Sequence, residues 1–404
     1  MVELEDLVKA GINGFGHIGQ GLFVENIQPS LGVSNISIIW INEPRGTNYV
    51  IETAQELGLN VEKVDQNSLL INGREVRVTD YRKPENIEWR DLGVEFIHES
   101  SGRFRSVEDL SHHLVDNILL SVSQKEETDE VKVFPHIVYG ANDSLIDILK
   151  NSINSGSTCT TNSSFIIQIL GDYGVIEWNP ISLTSIHALT ESRVGLSSLN
   201  NVEMTKTGAG EAIPRVYIPS RKEPNAIAYT VPVSNGSISE FYFFEISYHS
   251  HDLEEINSIL KMASGDPKYR DAHEYVINKR RREKEKDEFK GEELEQAVDD
   301  SLKQNQERYK QRIGIIEKEY PSLEDVRGRD FACMIAVEHT LYSEINVAPD
   351  TGGTEPADDD CVFFLKVVCY YDNEMNYIAN NTLIAEEIGR QILEQRKLEE
   401  GGLK

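Results

Sequence analysis

The chain has 404 residues, of which 39% are hydrophobic and 27% charged, a composition typical of a globular protein with two or three domains. Its 68 acidic and 40 basic side chains give a net charge of −28, which argues against nucleic-acid binding. Four cysteines do not make a disulfide framework in a chain of this length, and no apolar run is long enough to span a membrane. The acidic N-terminus lacks an apolar signal core, so we expect a cytoplasmic location.

The first element is a strand from Leu7 to Asn13, which runs into a glycine-rich turn and then a helical pattern. The turn reads Gly14-Phe15-Gly16-His17-Ile18-Gly19, a spacing that lets the backbone approach a pyrophosphate at a helix start. A second strand, Ile36–Asn42, leads to Glu43, where a carboxylate would accept hydrogen bonds from an adenosine ribose. An ordinary loop acid fits the same position. Arg45 could instead pair with a 2′-phosphate, so NAD is favoured and NADP stays open.

The next elements continue an alternating series of strands and helices. We predict a hairpin at Leu69–Val78 and strands at Val94–Ile97, Ile118–Val122 and His136–Gly140. Ser101 and Gly102 follow the strand Val94–Ile97, at its carboxyl end, where doubly wound sheets bind their ligands. They are therefore candidate cofactor contacts, although an ordinary turn has the same sequence. The series predicts a dinucleotide-binding domain over residues 1–158.

A cysteine stands in the stretch Ser157-Thr158-Cys159-Thr160-Thr161-Asn162, just before the apolar run Phe165–Leu170. A thiol near the start of a helix has a lowered pKa, and the thiolate is the reactive form. A β-rich run then leads to His187, 28 residues after Cys159. A cysteine–histidine pair would supply a nucleophile and a proton shuttle. A small buried cysteine and a structural histidine are the alternatives.

The remaining chain predicts a second, mixed domain. Thr205–Gly210 opens a helical segment and could hold an anion or form an N-cap turn. The charged stretch Lys268–Lys318 is typical of one or two solvated helices, with a partner-binding arm as the alternative. The other predicted elements are strands at Ile227–Val233, Ser237–Tyr248, Cys333–Val347 and Cys361–Tyr371, and a helix at Ile378–Leu398.

Several of these motifs belong together. They are Gly11–Gly19, Asn42-Glu43-Pro44, Glu99–Phe104, Ser157–Asn162 with His187, and Tyr371–Tyr377. In combination they resemble the glyceraldehyde-3-phosphate dehydrogenase family. The resemblance implies an α/β fold, with a Rossmann dinucleotide-binding domain and an α+β catalytic domain over residues 159–377 built on a mixed sheet. It also implies that the helix 378–398 packs back on the first domain and that the chain forms a dimer or tetramer.

The resemblance implies a mechanism as well. Cys159 would attack an aldehyde to form a thiohemiacetal, with His187 as the base. Hydride would pass to the nicotinamide, and phosphate or water would cleave the resulting thioester. The candidate cofactor residues are Gly14, Phe15, Gly16, His17, Ile18, Gly19, Glu43, Ser101, Gly102 and Asn373. The candidate substrate residues are Ser157, Thr158, Thr160, Thr190, Arg193, Thr207, Gly208 and Thr230. No metal site is predicted.

The sequence departs from the family pattern on the substrate side. Thr230 stands where the family has a phosphate-binding arginine. The loop Arg193–Asn201 is shorter than the family's and has no clear equivalent of the second arginine, which Arg193 could replace only by a different geometry. His17 replaces the arginine usual in the first glycine motif, and the charged stretch has no counterpart. We therefore expect an aldehyde dehydrogenase acting on a substrate other than glyceraldehyde 3-phosphate. The alternatives are the phosphorylating enzyme, or an NAD-binding regulatory or scaffold protein that acts through the charged insertion at about 268–318.

Overall fold

The computed structural model divides the chain into two compact units, Met1–Thr158 with Tyr377–Lys404, and Cys159–Asn376. It describes residues 7–29, 34–121, 135–150, 152–177, 180–189, 201–217, 223–247, 251–283, 290–309, 312–329, 331–344 and 361–402. The α/β class predicted from the sequence is confirmed, with a Rossmann-type sheet in the first unit and a mixed sheet in the second.

The first unit is built on an eight-stranded sheet in the order β3-β4-β5-β2-β1-β6-β7-β8. In this sheet order, the six strands β5-β2-β1-β6-β7-β8 are parallel. The pairs β3–β4 and β4–β5 are antiparallel. Strands β1 and β2 are buried along almost their whole length, as expected for a parallel sheet covered on both faces. The strands are β1 (Val8–Asn13), β2 (Ile36–Asn42), β3 (Val61–Lys63), β4 (Ser68–Ile71), β5 (Arg74–Thr79), β6 (Phe96–Glu99), β7 (Asn117–Leu120) and β8 (Ile153–Ser155).

Helices α1 (His17–Ile27), α2 (Thr47–Glu56) and α3 (Val107–Ser111) accompany this sheet, together with the C-terminal part of α10 (Asn373–Gly402). The contact between α10 and the sheet is close, because a Cβ on Gly389 would lie 2.7 Å from the side chain of Ile36. Glu386 of α10 also accepts hydrogen bonds from the backbone of Asn35 and the hydroxyl of Ser34. The last helix is therefore part of the first unit from Tyr377 onward.

One predicted strand of this unit is wrong. Residues 136–140 form no strand, and His136 makes only an isolated bridge to Ser155. The eighth strand is instead Ile153–Ser155, which pairs with β7. The segment after the bridge turns back on itself, since Asn142 caps it by bonding the backbone of Val138 and His136. A short apolar run cannot by itself distinguish a strand from such a turn.

The second unit is built on a mixed sheet in the order β10-β11-β9-β12-β16-β14-β13, with β15 pairing to β16. The pairs β9–β11 and β13–β14 are parallel and the others are antiparallel. The strands are β9 (Ser182–Ala188), β10 (Glu203–Lys206), β11 (Asn225–Val231), β12 (Ser237–Ser247), β13 (Ile313–Ile316), β14 (Cys333–Ala336), β15 (Leu341–Glu344) and β16 (Cys361–Tyr371).

The helices of the second unit are α4 (Cys159–Ser163), α5 (Ile166–Asp172), α6 (Ala209–Val216), α7 (Leu253–Ala263), α8 (Arg270–Glu283) and α9 (Glu292–Arg308). Helices α8 and α9 lie in the charged stretch, and they are packed rather than free. The amide of Asn305 on α9 bonds the carbonyl of Met262 on α7 and the hydroxyl of Tyr173 after α5. Lys279 on α8 bonds the buried carboxylate of Glu255. The stretch therefore forms two helices, as predicted, but their faces turned to α7 and α5 are packed and not solvated.

Among the helices of the described residues, none combines the length and the apolar character that crossing a membrane requires.

Candidate active site

Three loops meet at the carboxyl ends of β1, β2 and β6. Asn13 is in register with Asn42 on one side and with Glu99 on the other, so the strands end at the same level. Gly14 follows with φ at +93°, and a Cβ there would lie 2.6 Å from the backbone of Ser101. The glycine is required both by the left-handed backbone and by the approach of the neighbouring loop.

The other two glycines of the turn serve different ends. A Cβ on Gly19 would lie 2.2 Å from the carbonyl oxygen of Gly14, so helix α1 can pack on the turn only with glycine there. A Cβ on Gly16 would meet no atom within 4 Å, which leaves open space beside the N-terminus of α1. His17 is exposed and Ile18 half-buried at the first positions of that helix. A pyrophosphate fits such a space, because free N–H groups and the helix dipole favour an anion.

Glu43 follows β2 and is almost fully buried. Its carboxylate accepts from the backbone N–H of Phe15 at 2.8 Å and from Arg45, whose guanidinium pairs with it at 2.8 and 3.0 Å. Burial opposes ionisation of Glu43, but the hydrogen bonds from Arg45 and Phe15 outweigh it and lower its pKa. The Arg45 guanidinium also stacks on the ring of Tyr49, 3.6 Å from its centroid. Glu43 and Arg45, the residues that the sequence analysis assigned to the ribose and to a 2′-phosphate, are thus bound to each other.

Glu99 anchors the third loop from a fully buried position. One carboxylate oxygen accepts from the backbone N–H of Ser101 at 2.9 Å and from its hydroxyl, and the other accepts from Asn13 and from His113. The indole N–H of Trp89 donates to His113 Nδ1, which leaves Nε2 of that ring as the donor to Glu99. Ser101 is therefore committed to shaping the loop, and Gly102 follows it with φ at +70°.

Cys159 lies at the first residue of α4 and faces the end of β9 within the second unit. Its Sγ is 3.4 Å from Nε2 of His187. Nδ1 of His187 lies 2.8 Å from the carbonyl oxygen of Ala188, and because a carbonyl can only accept, the proton of the neutral ring sits on Nδ1. The lone pair on Nε2 then points to the thiol, as a general base requires.

The thiol of Cys159 has a lowered pKa. Burial acts to raise it, but the positive charge that His187 gains with the thiol proton and its hydrogen bond to the sulfur, together with hydrogen bonds from Asn373 and Thr160, outweigh burial. Asn373 begins α10, and its Nδ2 lies 3.1 Å from His187 Nε2 and 3.8 Å from the sulfur. The residue assigned by resemblance to the nicotinamide therefore contacts the cysteine–histidine pair directly.

The candidate substrate residues are only partly brought together. Thr230 is fully buried on β11 and in register beside His187, and Thr160 follows Cys159 with its hydroxyl 3.2 Å from that of Tyr371. Thr207 and Gly208 precede α6, and none of the hydrogen bonds among the described residues joins them to Cys159. Ser157 has φ at +59° and ends the first unit together with Thr158.

Two further substrate candidates, Thr190 and Arg193, lie outside the described residues.

Sequence reasoning missed the serine that supports Asn373. The hydroxyl of Ser237 is within hydrogen-bond distance of both Oδ1 and Nδ2 of Asn373, and it accepts a hydrogen bond from the backbone N–H of Ala188. The alternation of β12 contains the signal for it. Ser237 and Ser239 share a face with the buried Phe241 and Phe243, and a hydroxyl on a core face needs a partner.

Comparison with known proteins gives concordant matches. A family model described as the NAD binding domain of glyceraldehyde 3-phosphate dehydrogenase matches residues 8–107. A glyceraldehyde-3-phosphate dehydrogenase of Haloarcula vallismortis is 30% identical over 260 residues, which are 59% of this chain and 74% of the relative. The enzyme of that name from Geobacillus stearothermophilus is 28% identical over 278 residues, 64% of this chain and 78% of the relative. The one from Borreliella burgdorferi is 28% identical over 282 residues, with 64% and 81% covered.

Proposed function

This chain belongs to the glyceraldehyde-3-phosphate dehydrogenase family, and we propose that it oxidises an aldehyde other than glyceraldehyde 3-phosphate through Cys159 and His187. Family membership supports an NAD-dependent dehydrogenase. The observation that carries the catalytic assignment is the 3.4 Å approach of the Cys159 sulfur to a histidine nitrogen whose lone pair faces it.

The chemistry starts at the sulfur. The Cys159 proton moves to Nε2 of His187, and the thiolate attacks the aldehyde carbon, so that a C–S bond forms while the carbonyl electron pair moves to oxygen. The backbone N–H of Cys159 and the His187 side chain are donors for that oxygen. His187 gives this proton to the oxygen, which completes the thiohemiacetal, and takes it back as the hydride leaves the carbon and the C=O bond reforms. When bound, NAD supplies the hydride acceptor, and the acyl group stays on Cys159 as a thioester.

The residues around the glycine turn fit an NAD molecule. The open space at Gly16 would take the pyrophosphate, and Glu43 would accept hydrogen bonds from the ribose. Arg45 is the residue that would admit NADP, but its guanidinium is paired on one edge with Glu43 and stacked on Tyr49. We therefore propose a preference for NAD, with NADP as the weaker cofactor.

The substrate side supports a different aldehyde. Thr230, which stands in place of a phosphate-binding arginine, is fully buried beside His187. A charge-assisted contact is about twice as strong as the neutral one a hydroxyl makes. A doubly anionic aldehyde would therefore bind weakly here.

The phosphorylating enzyme acting on glyceraldehyde 3-phosphate is the second candidate, and the relatives' name, glyceraldehyde-3-phosphate dehydrogenase, favours that substrate. The third, a regulatory or scaffold protein acting through the charged insertion, has less support. Helices α8 and α9 use Lys279 and Asn305 to bind α7 within their own unit. In the regulatory alternative, a protein partner would bind the outward faces of these two helices.

We further propose that the chain forms a homo-oligomer through the outer face of the second sheet. Ile186, Phe244 and Leu341 lie on one face of neighbouring strands and are 36%, 47% and 51% exposed. The ion pair of Lys366 and Glu240, at 2.9 Å, lies on the same face. In a two-fold dimer the same patch of both copies meets, so each copy would bring one such pair to the interface. Sedimentation of a Phe244→Glu variant, which we expect to dissociate, tests this. Leu149→Glu, at a site 77% exposed in the first unit, is the control.

The deciding experiment is NADH formation by the purified protein against phosphorylated and unphosphorylated aldehydes, each with and without phosphate. We expect turnover on an unphosphorylated aldehyde that disappears in Cys159→Ala. Phosphate-dependent turnover on glyceraldehyde 3-phosphate at ordinary rates would favour the second candidate. Undiminished NADH production by Cys159→Ala would rule out the thioester mechanism, and silence on every aldehyde with NAD still binding would favour the regulatory alternative.

A further inference from the structure

Asn373 is held in place at two points. Its backbone N–H donates to the side-chain oxygen of Asn235 at 3.1 Å, and that amide in turn donates to Asp372 at 2.8 Å. Its side-chain amide lies against Ser237, with the hydroxyl 3.0 Å from Oδ1 and 2.8 Å from Nδ2. Ser237 is itself fully buried and fixed by the backbone N–H of Ala188 at 3.1 Å.

This support determines what the cysteine meets. The hydroxyl of Ser237 donates to Oδ1 and accepts from Nδ2 and from the backbone N–H of Ala188, so it fixes the position of the amide, and the lone pair of His187 Nε2 decides that Nδ2 is the end that faces it. Nδ2 of Asn373 then faces the lone pair of His187 Nε2 and the Cys159 sulfur. In the reversed orientation the amide oxygen would face the Nε2 lone pair while Cys159 is a thiol, and the negative sulfur once it is a thiolate, and each contact would be repulsive.

We propose that Ser237 is a positioning residue for the nucleophile: it holds the Asn373 amide so that an N–H donor faces the Cys159 sulfur. The donor favours the thiolate, so Ser237 acts on the reactivity of Cys159 without contacting it. The inference rests on the proposed function in that it takes Cys159 as the nucleophile. It adds a residue that is distant in sequence and reaches the thiol through one intermediate side chain.

The test is the pH dependence of Cys159 alkylation by iodoacetamide in the full-length protein, followed by mass spectrometry of the peptide that contains it. No substrate or cofactor is needed. We expect Ser237→Ala to move the midpoint of the profile upward by about one pH unit, about a tenfold loss of thiolate at neutral pH. Ser239→Ala is the matched control, because Ser239 is buried on the same face of β12 but its hydroxyl contacts Tyr371, not Asn373. Its profile should overlay the unmodified protein.

Two more variants separate positioning from packing. Asn373→Ala should give the same shift as Ser237→Ala, and the double variant should give no more than either. Asn373→Asp keeps the size but puts a negative charge near the sulfur, so its midpoint should rise further. Thermal unfolding of each variant verifies that it is folded.

The proposal is overturned if Ser237→Ala overlays Ser239→Ala, or if the effects of Ser237→Ala and Asn373→Ala add. A different result would count against the proposed function: the unmodified protein itself would then show the alkylation profile of an ordinary thiol, with a midpoint at about pH 8.5.

Discussion

The two candidate sites are built in different ways. The loops around Gly14 and Glu43 belong to contiguous motifs at the ends of neighbouring parallel strands, and each residue sits within a few positions of its motif. The cluster around Cys159 takes its members from α4, β9, β12 and the start of α10. A site of the first kind depends on local backbone geometry, and one of the second kind depends on the register of a whole sheet. Substitutions should therefore impair the first site only when they lie within its loops, whereas the second site should also respond to substitutions in distant strands.

The strongest way to sharpen this comparison is a pair of glycine variants. Gly19→Ala should destabilise the first unit by about 3 kcal/mol and abolish NAD binding, because its Cβ would overlap the Gly14 carbonyl. Gly16→Ala should fold normally, since its Cβ meets nothing, yet weaken NAD binding by about a hundredfold if the pyrophosphate lies there. Calorimetric titration with NAD and thermal unfolding distinguish the two. Equal NAD affinity in Gly16→Ala would mean that the cofactor does not use this turn.

A change at His187 tests the second site. His187→Gln removes the charge that lowers the pKa of Cys159, so burial should raise the pKa of the thiol above its ordinary value. We expect alkylation of Cys159 at pH 7 to slow by about thirtyfold or more. The folded state should persist, as judged by thermal unfolding, because glutamine can still bond the carbonyl of Ala188. Unchanged alkylation would show that the thiol is not activated by this ring.

The Glu43–Arg45 pair tests how local the cofactor site is. Glu43→Gln should weaken NAD binding by about tenfold and improve NADP relative to NAD, since it frees the Arg45 guanidinium for a 2′-phosphate. Glu56→Gln, an exposed acid of α2 in the same unit, should change neither affinity. Fluorescence titration with both cofactors gives the ratio. An unchanged ratio would place the choice of cofactor elsewhere in the chain.

His98 should govern part of the acid stability of the first unit. It is fully buried on β6, and burial lowers its pKa from 6.5 to about 3. Between those values the unfolded chain binds a proton that the folded chain does not, so stability is complete above about pH 6.5 and falls by up to about 1.4 kcal/mol per pH unit below it. His98→Phe should flatten that fall, whereas the exposed His112→Phe should not. Identical pH profiles of thermal unfolding would contradict this role.

The sequence predicted the first site almost residue by residue. The Gly14–Gly19 turn, Glu43 and the Ser101–Gly102 loop follow the strands β1, β2 and β6 as expected, because the carboxyl ends of parallel strands meet at one edge. Their functional roles stay predictions. For the second site, the cysteine and histidine could be named from their residue types, and the structure brings their reactive atoms to 3.4 Å.

The misses have physical causes. The run His136–Gly140 has the apolar character of a strand but forms turns. The strand that pairs with β7 at that edge of the sheet is Ile153–Ser155. The charged stretch predicted solvated helices because charge dominates its composition. Its few apolar positions, among them Val298 and Leu302, are enough to bury one face of α9. Composition averages over a helix, whereas packing needs only one side of it.

The sequence alone therefore determined the fold class and the glycine turn, since these follow from local backbone rules, and residue chemistry made Cys159 the candidate nucleophile. The tertiary structure decided which side chains surround the sulfur. Ser237 and Asn373 are separated by 136 residues, and they meet only because β12 pairs with β16 and the C-terminal helix starts where β16 ends. Strand register is set by the burial of whole faces, so no single motif records it.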